Sequence, residues 1–293
     1  MSKRNLALIG ATIVSIIYGV TFTIAKDVMP KYIDAYGFIL MRAGGSMLLF
    51  WLVWLFMPKE KIELNDFPRI ISAAFFGVAF NMLTFFKGLS LTSPISAAVI
   101  MVSTPMIVLV LSAIIMKERM KKRMILGILL GLIGTASLIL YGKSIGDTSQ
   151  SGVGNFLVLV NAISYGFYLI IVKKLMNKYN AFTFVKWIYL FGFIMVLPFG
   201  WIQFQAVDWT ILPMDIYCKI GFVVVISTFL TYLLNLLSMK ELKPTTVAVF
   251  IYLQPLFATV FAISLGKDTL SLVKIGSALL IFTGVYLVTL KKN

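Results

Sequence analysis

Ten long apolar stretches, separated by short charged loops, constrain this chain more than any other feature of its sequence. Each stretch has about 18 to 24 residues, and roughly 20 mostly apolar residues are enough for a helix to cross the hydrocarbon core of a bilayer. The stretches cover residues 5–25, 35–57, 70–89, 94–116, 124–142, 152–172, 182–205, 216–238, 245–266 and 273–290. The loops between them are too short for a soluble domain. The sequence therefore predicts an all-α integral membrane protein with ten transmembrane helices.

The composition excludes most catalytic and metal chemistry. The chain has no His and one Cys, Cys218, so it cannot form an intrachain disulfide, a His or Cys metal site or a His-dependent catalytic triad. The net charge of +15 is scattered between the apolar stretches, whereas a nucleic-acid-binding protein gathers its basic residues on one face. We therefore expect no enzymatic activity, no metal or other cofactor and no nucleic acid partner.

The distribution of basic residues predicts the orientation in the membrane. If both termini are cytoplasmic, the loops on that side hold 17 Lys and Arg residues and the opposite loops hold 7. Cytoplasmic loops carry an excess of Lys and Arg, so this orientation is favoured. We expect a multi-pass protein of the cell inner (cytoplasmic) membrane whose first apolar stretch is an uncleaved helix.

The second half of the sequence resembles the first half. A displacement of 147 residues aligns Tyr18-Gly19 with Tyr165-Gly166. A displacement of 150 residues aligns four further positions with the same residue type or the same charge. These pairs are Pro94 with Pro244, Pro105 with Pro255, Glu118 with Asp268 and Gly134 with Gly284. Such internal symmetry is typical of transporters built from two related halves.

The two halves are expected to cross the membrane in opposite directions. Each holds five apolar stretches, and an odd number of crossings inverts the unit that follows. The basic run at 119–123 corresponds to the uncharged residues 269–273, as the positive-inside rule requires if the two loops lie on opposite sides. The sequence therefore predicts two inverted five-helix repeats, residues 1–146 and 147–293.

The order of these residues resembles that of the drug/metabolite transporter superfamily, in its ten-helix branch with two EamA-type units. The resemblance extends over nearly the whole chain and includes the aromatic-glycine pair, Arg42 early in the second stretch and a glycine-rich fifth stretch. Tyr18 stands where many members carry Trp, and Asp268 where Glu is common. The resemblance implies a carrier that moves small organic solutes, often by export, through a central cavity between the halves.

Polar side chains within the apolar stretches are the candidates for a solute site, because polar groups in hydrocarbon are costly unless they face other helices or a wet cavity. The predicted substrate-binding residues are Tyr18, Arg42, Asn81, Thr104, Asn161, Tyr165 and Gln254. The alternative role for the amide and hydroxyl groups is hydrogen bonding between helices. A cavity wall of aromatic side chains is expected from Tyr18, Tyr165, Tyr168, Trp187 and Tyr252.

Two prolines in corresponding helices mark the centre of the predicted site. Pro105 and Pro255 lie within the fourth and ninth stretches, where proline removes a backbone donor and kinks a helix. Paired interruptions of this kind point to the binding centre of a transporter. Thr104 and Gln254, directly before the prolines, are therefore the leading polar candidates. A kink that serves packing alone is the alternative.

The charged residues indicate what the solute carries. Arg42 lies about 10 Å inside its helix at 1.5 Å per residue, so it needs an anionic partner, water or a route to the interface. Lys87 and Lys186 are expected to extend to the nearer membrane surface. All Asp and Glu residues fall in loops or at helix ends. We therefore expect a neutral, zwitterionic or anionic solute and no obvious proton relay.

These observations together predict a carrier of an amino acid or related metabolite that works by alternating access, with efflux as the expected direction. An exchanger of phosphorylated or nucleotide-like anions is the alternative within transport, and a non-transport membrane protein is the alternative outside it. The expected partners are the small-molecule solute and the lipid bilayer. The chain is expected to be a monomer or a homodimer.

Overall fold

The computed structural model describes residues 3–57, 59–116, 122–141, 150–176, 178–242 and 250–289, and within these ranges the regular structure is helical throughout. We number the helices α1 to α10. The helices of the first half are α1 Lys3–Val28, α2 Ala35–Trp54, α3 in the consecutive segments Phe67–Ala74, Phe75–Ala79 and Phe80–Leu91, α4 in the two halves Pro94–Met101 and Thr104–Met116, and α5 Lys122–Tyr141. The helices of the second half are α6 Ser151–Met176, α7 Ala181–Gln205, α8 in the consecutive segments Met214–Gly221, Phe222–Leu230 and Thr231–Glu241, α9 Gln254–Ser264 after the short turn Ile251–Leu253, and α10 Leu272–Thr289.

The described helices confirm the prediction of an all-α membrane protein. Six of them, α1, α2, α3, α6, α7 and α8, are long and apolar enough to cross a bilayer within the described residues. Shorter apolar helices account for the described parts of α4, α5, α9 and α10. Glu118 and Pro244, which contribute to the sequence repeat, and the predicted boundary between residues 146 and 147 lie outside the described residues.

Equivalent helices of the two halves pack against each other and run in opposite directions. Helix α5 packs on α10, and a Cβ at Gly134 would lie 2.8 Å from the carbonyl oxygen of Ser277. A second close contact of the same kind joins these two helices, because a Cβ at Gly284 would clash with the carbonyl oxygen of Gly127. The start of α5 therefore lies against the end of α10. Helices α2 and α7 form the second antiparallel pair of this kind, and the repeats are inverted.

The remaining contacts between the halves also occur in related pairs. Helix α3 packs on α6, where Gly88 and Gly154 approach each other so closely that a Cβ on either would lie 2.7 Å from the other's carbonyl oxygen. The related pair is α8 on α1, and there the Ser238 hydroxyl donates to the carbonyl of Ala7 at 3.0 Å. Likewise α9 packs on α1 as α4 packs on α6. Each half thus covers the apolar faces of the other.

Four helices are interrupted near the middle of the bundle, at positions related by the repeat. Helices α3 and α8 widen to π-helical geometry at Phe75–Ala79 and Phe222–Leu230. Helix α4 breaks after Met101, and Pro105 is the second residue of its second half. In α9, Pro255 follows Gln254 at the first turn. The prolines therefore stand at helix starts, where a missing N–H has no helical acceptor to lose, rather than inside kinked helices.

Candidate functional site

A cavity between the two halves is the candidate solute site. It contains about 1140 Å³ of space free of protein atoms, including its open side. Along α1 it reaches from Ala11 to Phe22, which is about 16 Å at 1.5 Å per residue and covers the middle of that helix. Its lining residues come from both repeats and are mostly aromatic, amide and small side chains. They are Ala11, Val14, Ser15, Tyr18, Thr21, Phe22, Arg42, Asn81, Met82, Phe85, Phe86, Met101, Asn161, Tyr165, Tyr168, Tyr232, Asn235, Leu236, Phe250, Ile251 and Gln254.

The structure brings six of the seven candidate binding residues to this cavity. The six are Tyr18, Arg42, Asn81, Asn161, Tyr165 and Gln254. Thr104 is completely buried outside the cavity lining, and its hydroxyl has no hydrogen-bond partner among the described residues. Pro105 and Pro255 are also buried outside the lining. Of the aromatic residues expected to form the cavity wall, Trp187 lies outside the cavity, against Trp51. The side chain of Tyr252 lies outside the part of the chain that the structure describes.

Arg42 is the charged residue of the cavity lining. Its side chain is buried, its Nε donates to the hydroxyl of Thr228, and an Nη donates to the carbonyl of Ser227 at 3.4 Å. The guanidinium carbon lies 4.5 Å from the ring centroid of Phe86. A guanidinium has five N–H donors, so three remain for a solute. No carboxylate pairs with Arg42 in the part of the chain that the structure describes.

The π-helical segment of α8 provides the acceptors for this arginine. Thr228, within that segment, donates its own hydroxyl to the carbonyl of Val223 at 2.7 Å, five residues earlier. Its oxygen is thereby fixed as an acceptor for Arg42. Ser46, one turn beyond Arg42 on α2, donates to the carbonyl of Val224 at 3.3 Å. Segments of this kind expose backbone carbonyls and are frequent at functional sites.

The related segment of α3, Phe75–Ala79, makes neutral contacts with the neighbouring helices. The Ser164 hydroxyl donates to the carbonyl of Phe76 at 2.7 Å, and the Tyr232 hydroxyl donates to that of Gly77 at 2.9 Å. Asn161 donates to the carbonyl of Asn81 at 2.8 Å. Asn161 therefore joins helices and lines the cavity at the same time, so the two roles considered for it are not exclusive.

Asn235 and Tyr232 belong to the cavity, and the sequence analysis missed both. Ser227, Thr231 and Asn235 are spaced by four residues, which places them on one face of α8. That spacing is the signal that could have identified Asn235, because Ser227 and Thr231 are polar residues within the same apolar stretch. Tyr18 lies beside Thr231 and Asn235. A position near the middle of a helix is a poor criterion for a cavity residue, since Asn235 is near the end of its helix.

The end of the bundle at which α1 finishes, which we call the distal end, is held by ion pairs. Asp27 pairs with Lys219 at 3.0 Å and with Lys267 at 2.6 Å, which joins α1 to the start of α8 and to the loop after α9. The ammonium of Lys26 donates to three carbonyls at the end of α3 and in the following loop, at 2.7 to 3.1 Å. The pairs of Asp27 join the two halves above the cavity, and the contacts of Lys26 join α1 to α3 within the first half.

A buried ion pair strengthens the same end. Asp268 and Lys274 are 2.6 Å apart, and both side chains are fully buried. The second carboxylate oxygen of Asp268 accepts the backbone N–H of Ile95 at 3.1 Å, at the start of α4. The sequence analysis placed Asp268 in a loop, and only the packing of α4 against α9 and α10 buries it.

The opposite end, which we call the proximal end, is held by a more exposed network. Lys178, in the loop before α7, pairs with Asp66 at 2.7 Å and with Glu63 at 2.6 Å. These carboxylates, Asp66 first, raise the pKa of Lys178 above its ordinary value. Tyr179 also donates to Asp66 at 2.7 Å. The loop between α2 and α3 is thereby joined to the loop between α6 and α7.

The two lysines considered beside Arg42 do not line the cavity. Lys87 lies 5.8 Å from the ring centroid of Tyr36, near the end of α3. Lys186 does not extend to the membrane surface as expected, because its side chain is only 4% exposed and its ammonium lies against indole rings. Arg42 is therefore the one cation among the described residues that line the cavity.

Comparison with known proteins agrees with this architecture. The chain matches the EamA-like transporter family twice, over residues 5–140 and 152–290. It is 25% identical over 273 residues to the uncharacterized transporter YyaM of Bacillus subtilis, covering 91% of this chain and 88% of the relative. It is 23% identical over 276 residues to an uncharacterized transporter of Archaeoglobus fulgidus, covering 94% and 95%.

A solved crystal structure shows the same fold. It covers 98% of both chains with a TM-score of 0.64 at 16% sequence identity. The two sequence matches together span most of the chain, and each falls on one inverted five-helix unit of the structure. The protein is therefore a multi-pass membrane transporter, and the chain belongs to the EamA-like transporter family.

Proposed function

We propose that this transporter carries a small organic solute with a carboxylate group, of the amino acid class, by alternating access through the central cavity. The observation that carries the proposal is Arg42, a buried cation in the cavity lining with no carboxylate partner among the described residues. A buried charge is costly unless it is paired. A solute carboxylate supplies that partner, and its two oxygens match the planar fork of a guanidinium.

The rest of the cavity suits the other parts of an amino acid. Asn81, Asn235 and Gln254 each have an amide oxygen that can accept from an ammonium group. The faces of Tyr18 and Tyr165 also attract a cation and pack well against an apolar side chain. The lining that the structure describes has no Asp or Glu, so it offers no strong site for a solute that is only cationic.

The same lining supports a phosphorylated solute less well. A phosphate monoester carries close to two negative charges at neutral pH, and several cations are expected around it. Arg42 is available, but Lys87 and Lys186 lie away from the cavity. The exchange of phosphorylated anions is therefore the second candidate function. We propose no catalytic activity.

Alternating access requires one end of the cavity to open while the other closes. The distal end is held by the pairs of Asp27 with Lys219 and Lys267, and by Asp268 with Lys274. We propose that these contacts separate when the distal end opens. Export is the proposed direction, as the resemblance to drug/metabolite transporters implies. We also propose that the protein lies in the cytoplasmic membrane with both termini inside the cell. The chain is proposed to be a monomer or a homodimer.

The test compares amino acids with their amides, in which a neutral carboxamide replaces the carboxylate. Purified protein is titrated with L-phenylalanine and L-leucine and with the two amides, binding is followed by thermal shift, and flux is measured in proteoliposomes. We expect binding and flux of an acid but not of its amide. Arg42→Gln should weaken binding by about tenfold or more, as loss of a charge-assisted hydrogen bond implies.

Two controls make the result specific to the arginine. Lys87→Gln removes a cation outside the cavity and should leave binding unchanged. Arg42→Lys keeps the charge but loses the fork, so it should bind more weakly than the wild type and more tightly than Arg42→Gln. If the amides bind as well as the acids, or if Arg42→Gln binds normally, the carboxylate assignment is wrong.

A further inference from the structure

Lys186 is a buried cation outside the cavity, at the proximal end of the bundle. It lies five residues after the start of α7 and is 4% exposed. Its Nζ is 3.0 Å from the ring centroid of Trp54 and 4.7 Å from that of Trp51, both in the last turn of α2. We call Lys186, Trp51 and Trp54 the indole cluster. An ionisable side chain within a transmembrane helix calls for a partner.

The indole cluster presents donors without acceptors. No carboxylate or carbonyl accepts a hydrogen bond from Lys186 among the described residues, and its contacts are with ring faces. The indole N–H groups of Trp51 and Trp54 are also buried with no hydrogen-bond partner among those residues. Ring faces stabilise the cation in part, but they accept nothing from the two indole nitrogens. The cluster therefore suits an external group that is anionic and has several acceptor oxygens.

The surroundings of the cluster point to a lipid as the source of that group. Leu52, Leu55 and Phe56 lie in and just beyond the last turn of α2, and they are 53%, 62% and 82% exposed. In an integral membrane protein these side chains face acyl chains. Tryptophans near helix ends lie at the level of the lipid headgroups. The sequence also predicts that the proximal end is cytoplasmic, and that leaflet carries anionic lipids in many membranes.

We propose that the indole cluster binds the phosphate of an anionic lipid headgroup. A phosphodiester has one negative charge for Lys186 and enough oxygens for the two indole N–H groups. Binding requires both indoles to rotate, because the N–H groups of Trp51 and Trp54 are both buried. The headgroup of a zwitterionic lipid carries a positive charge of its own and should bind more weakly. The inference is independent of the transported solute, because the cluster is not part of the cavity lining.

The experiment measures lipid binding to delipidated protein by native mass spectrometry. Phosphatidylglycerol is compared with phosphatidylcholine of the same acyl chains, and we expect the wild type to bind the anionic lipid about tenfold more tightly. Lys186→Met keeps the length of the side chain and removes the charge, so the preference should disappear. Lys186→Arg should restore it. The matched control, Lys61→Met, removes an exposed lysine in the loop after α2 and should bind both lipids as the wild type does.

A second variant keeps the test decisive if Lys186→Met does not fold. Trp54→Phe keeps an aromatic ring beside Lys186 and removes the indole N–H together with its five-membered ring, and it should weaken phosphatidylglycerol binding several-fold. Unchanged preference in Lys186→Met, or in Trp54→Phe where the first variant is unfolded, overturns the proposal. An arm with inorganic phosphate separates the sources. If free phosphate binds the cluster more tightly than phosphatidylglycerol does, the site holds a soluble anion and the lipid assignment is wrong.

Discussion

Helices α3 and α8 both contribute residues to the cavity lining, and we call them its two walls. They have the same backbone geometry and differ in chemistry. Helices α3 and α8 both widen to π-helical geometry at related positions, and both offer carbonyls to side chains of neighbouring helices. On the α8 wall the donors include the charged Arg42, bound to Ser227 and Thr228. On the α3 wall the donors are the neutral side chains of Ser164 and Tyr232.

This difference shows how an inverted duplication can carry different side chains on related positions. The position that corresponds to Arg42, 147 residues later, is Tyr189, which is buried and packs on Phe50 and Tyr232 rather than lining the cavity. The inverted repeat gives the two halves related backbones, and the difference between Arg42 and Tyr189 places a positive charge in only one of them. Under the proposed function, a solute with one carboxylate therefore has a preferred orientation between the walls.

The strongest test of the comparison concerns the inversion itself. In a Cys218→Ser background, single cysteines are introduced as Lys122→Cys and Leu272→Cys, at exposed and related positions of α5 and α10. A membrane-impermeant thiol reagent applied to intact cells should label one and not the other. Labelling of both from the same side would contradict the inverted repeats and the symmetry of the two walls.

The next largest effect is expected from packing on the α3 wall. A Cβ at Gly77 would clash with the ring of Tyr168, so Gly77→Ala should destabilise the protein by about 1 to 3 kcal/mol. Gly221→Ala, directly before the π-helical segment of α8, is the control because nothing lies within 4 Å of its Cβ. Thermal unfolding in detergent measures both. Equal stabilities would show that the contact is not tight.

The chemical difference between the walls predicts different effects on binding. Thr228→Val removes the acceptor of Arg42 and leaves a buried donor unsatisfied, so the affinity for a carboxylate solute should fall by about tenfold. Ser164→Ala removes one neutral contact on the other wall and should leave the affinity near that of the wild type. Isothermal titration of both variants is the measurement. A larger loss in Ser164→Ala would reverse the roles assigned to the walls.

The smallest effect is expected where the walls are joined. Tyr232→Phe removes the hydroxyl that α8 donates to Gly77 of α3, and hydrogen bonds between membrane helices average about 0.6 kcal/mol. We expect a small fall in the unfolding temperature with the solute affinity largely kept. Tyr141→Phe, at an exposed tyrosine of α5, is the control and should show no change. A loss of binding would mean that the Tyr232 hydroxyl contacts the solute.

Much of the site could be predicted because polar residues are rare in these helices. Arg42, Asn81 and Asn161 were identified by their cost in hydrocarbon, and all three line the cavity. Thr104 was ranked highly because it precedes Pro105, yet the helix breaks there and turns it away from the lining. Proximity to a proline identifies an interruption in the chain, but it does not tell which side chain faces the cavity.

The sequence by itself determined the ten spans, their duplication and the inversion. Apolar length, repeat register and loop charge can all be read along the chain without knowledge of its contacts. Only the tertiary structure decided the π-helical walls, the burial of Asp268 with Lys274 and the position of Lys186 on indole rings. Each of these depends on contacts between residues far apart in the chain. Such contacts exist only after the two halves have packed together, so the pattern of one segment cannot reveal them.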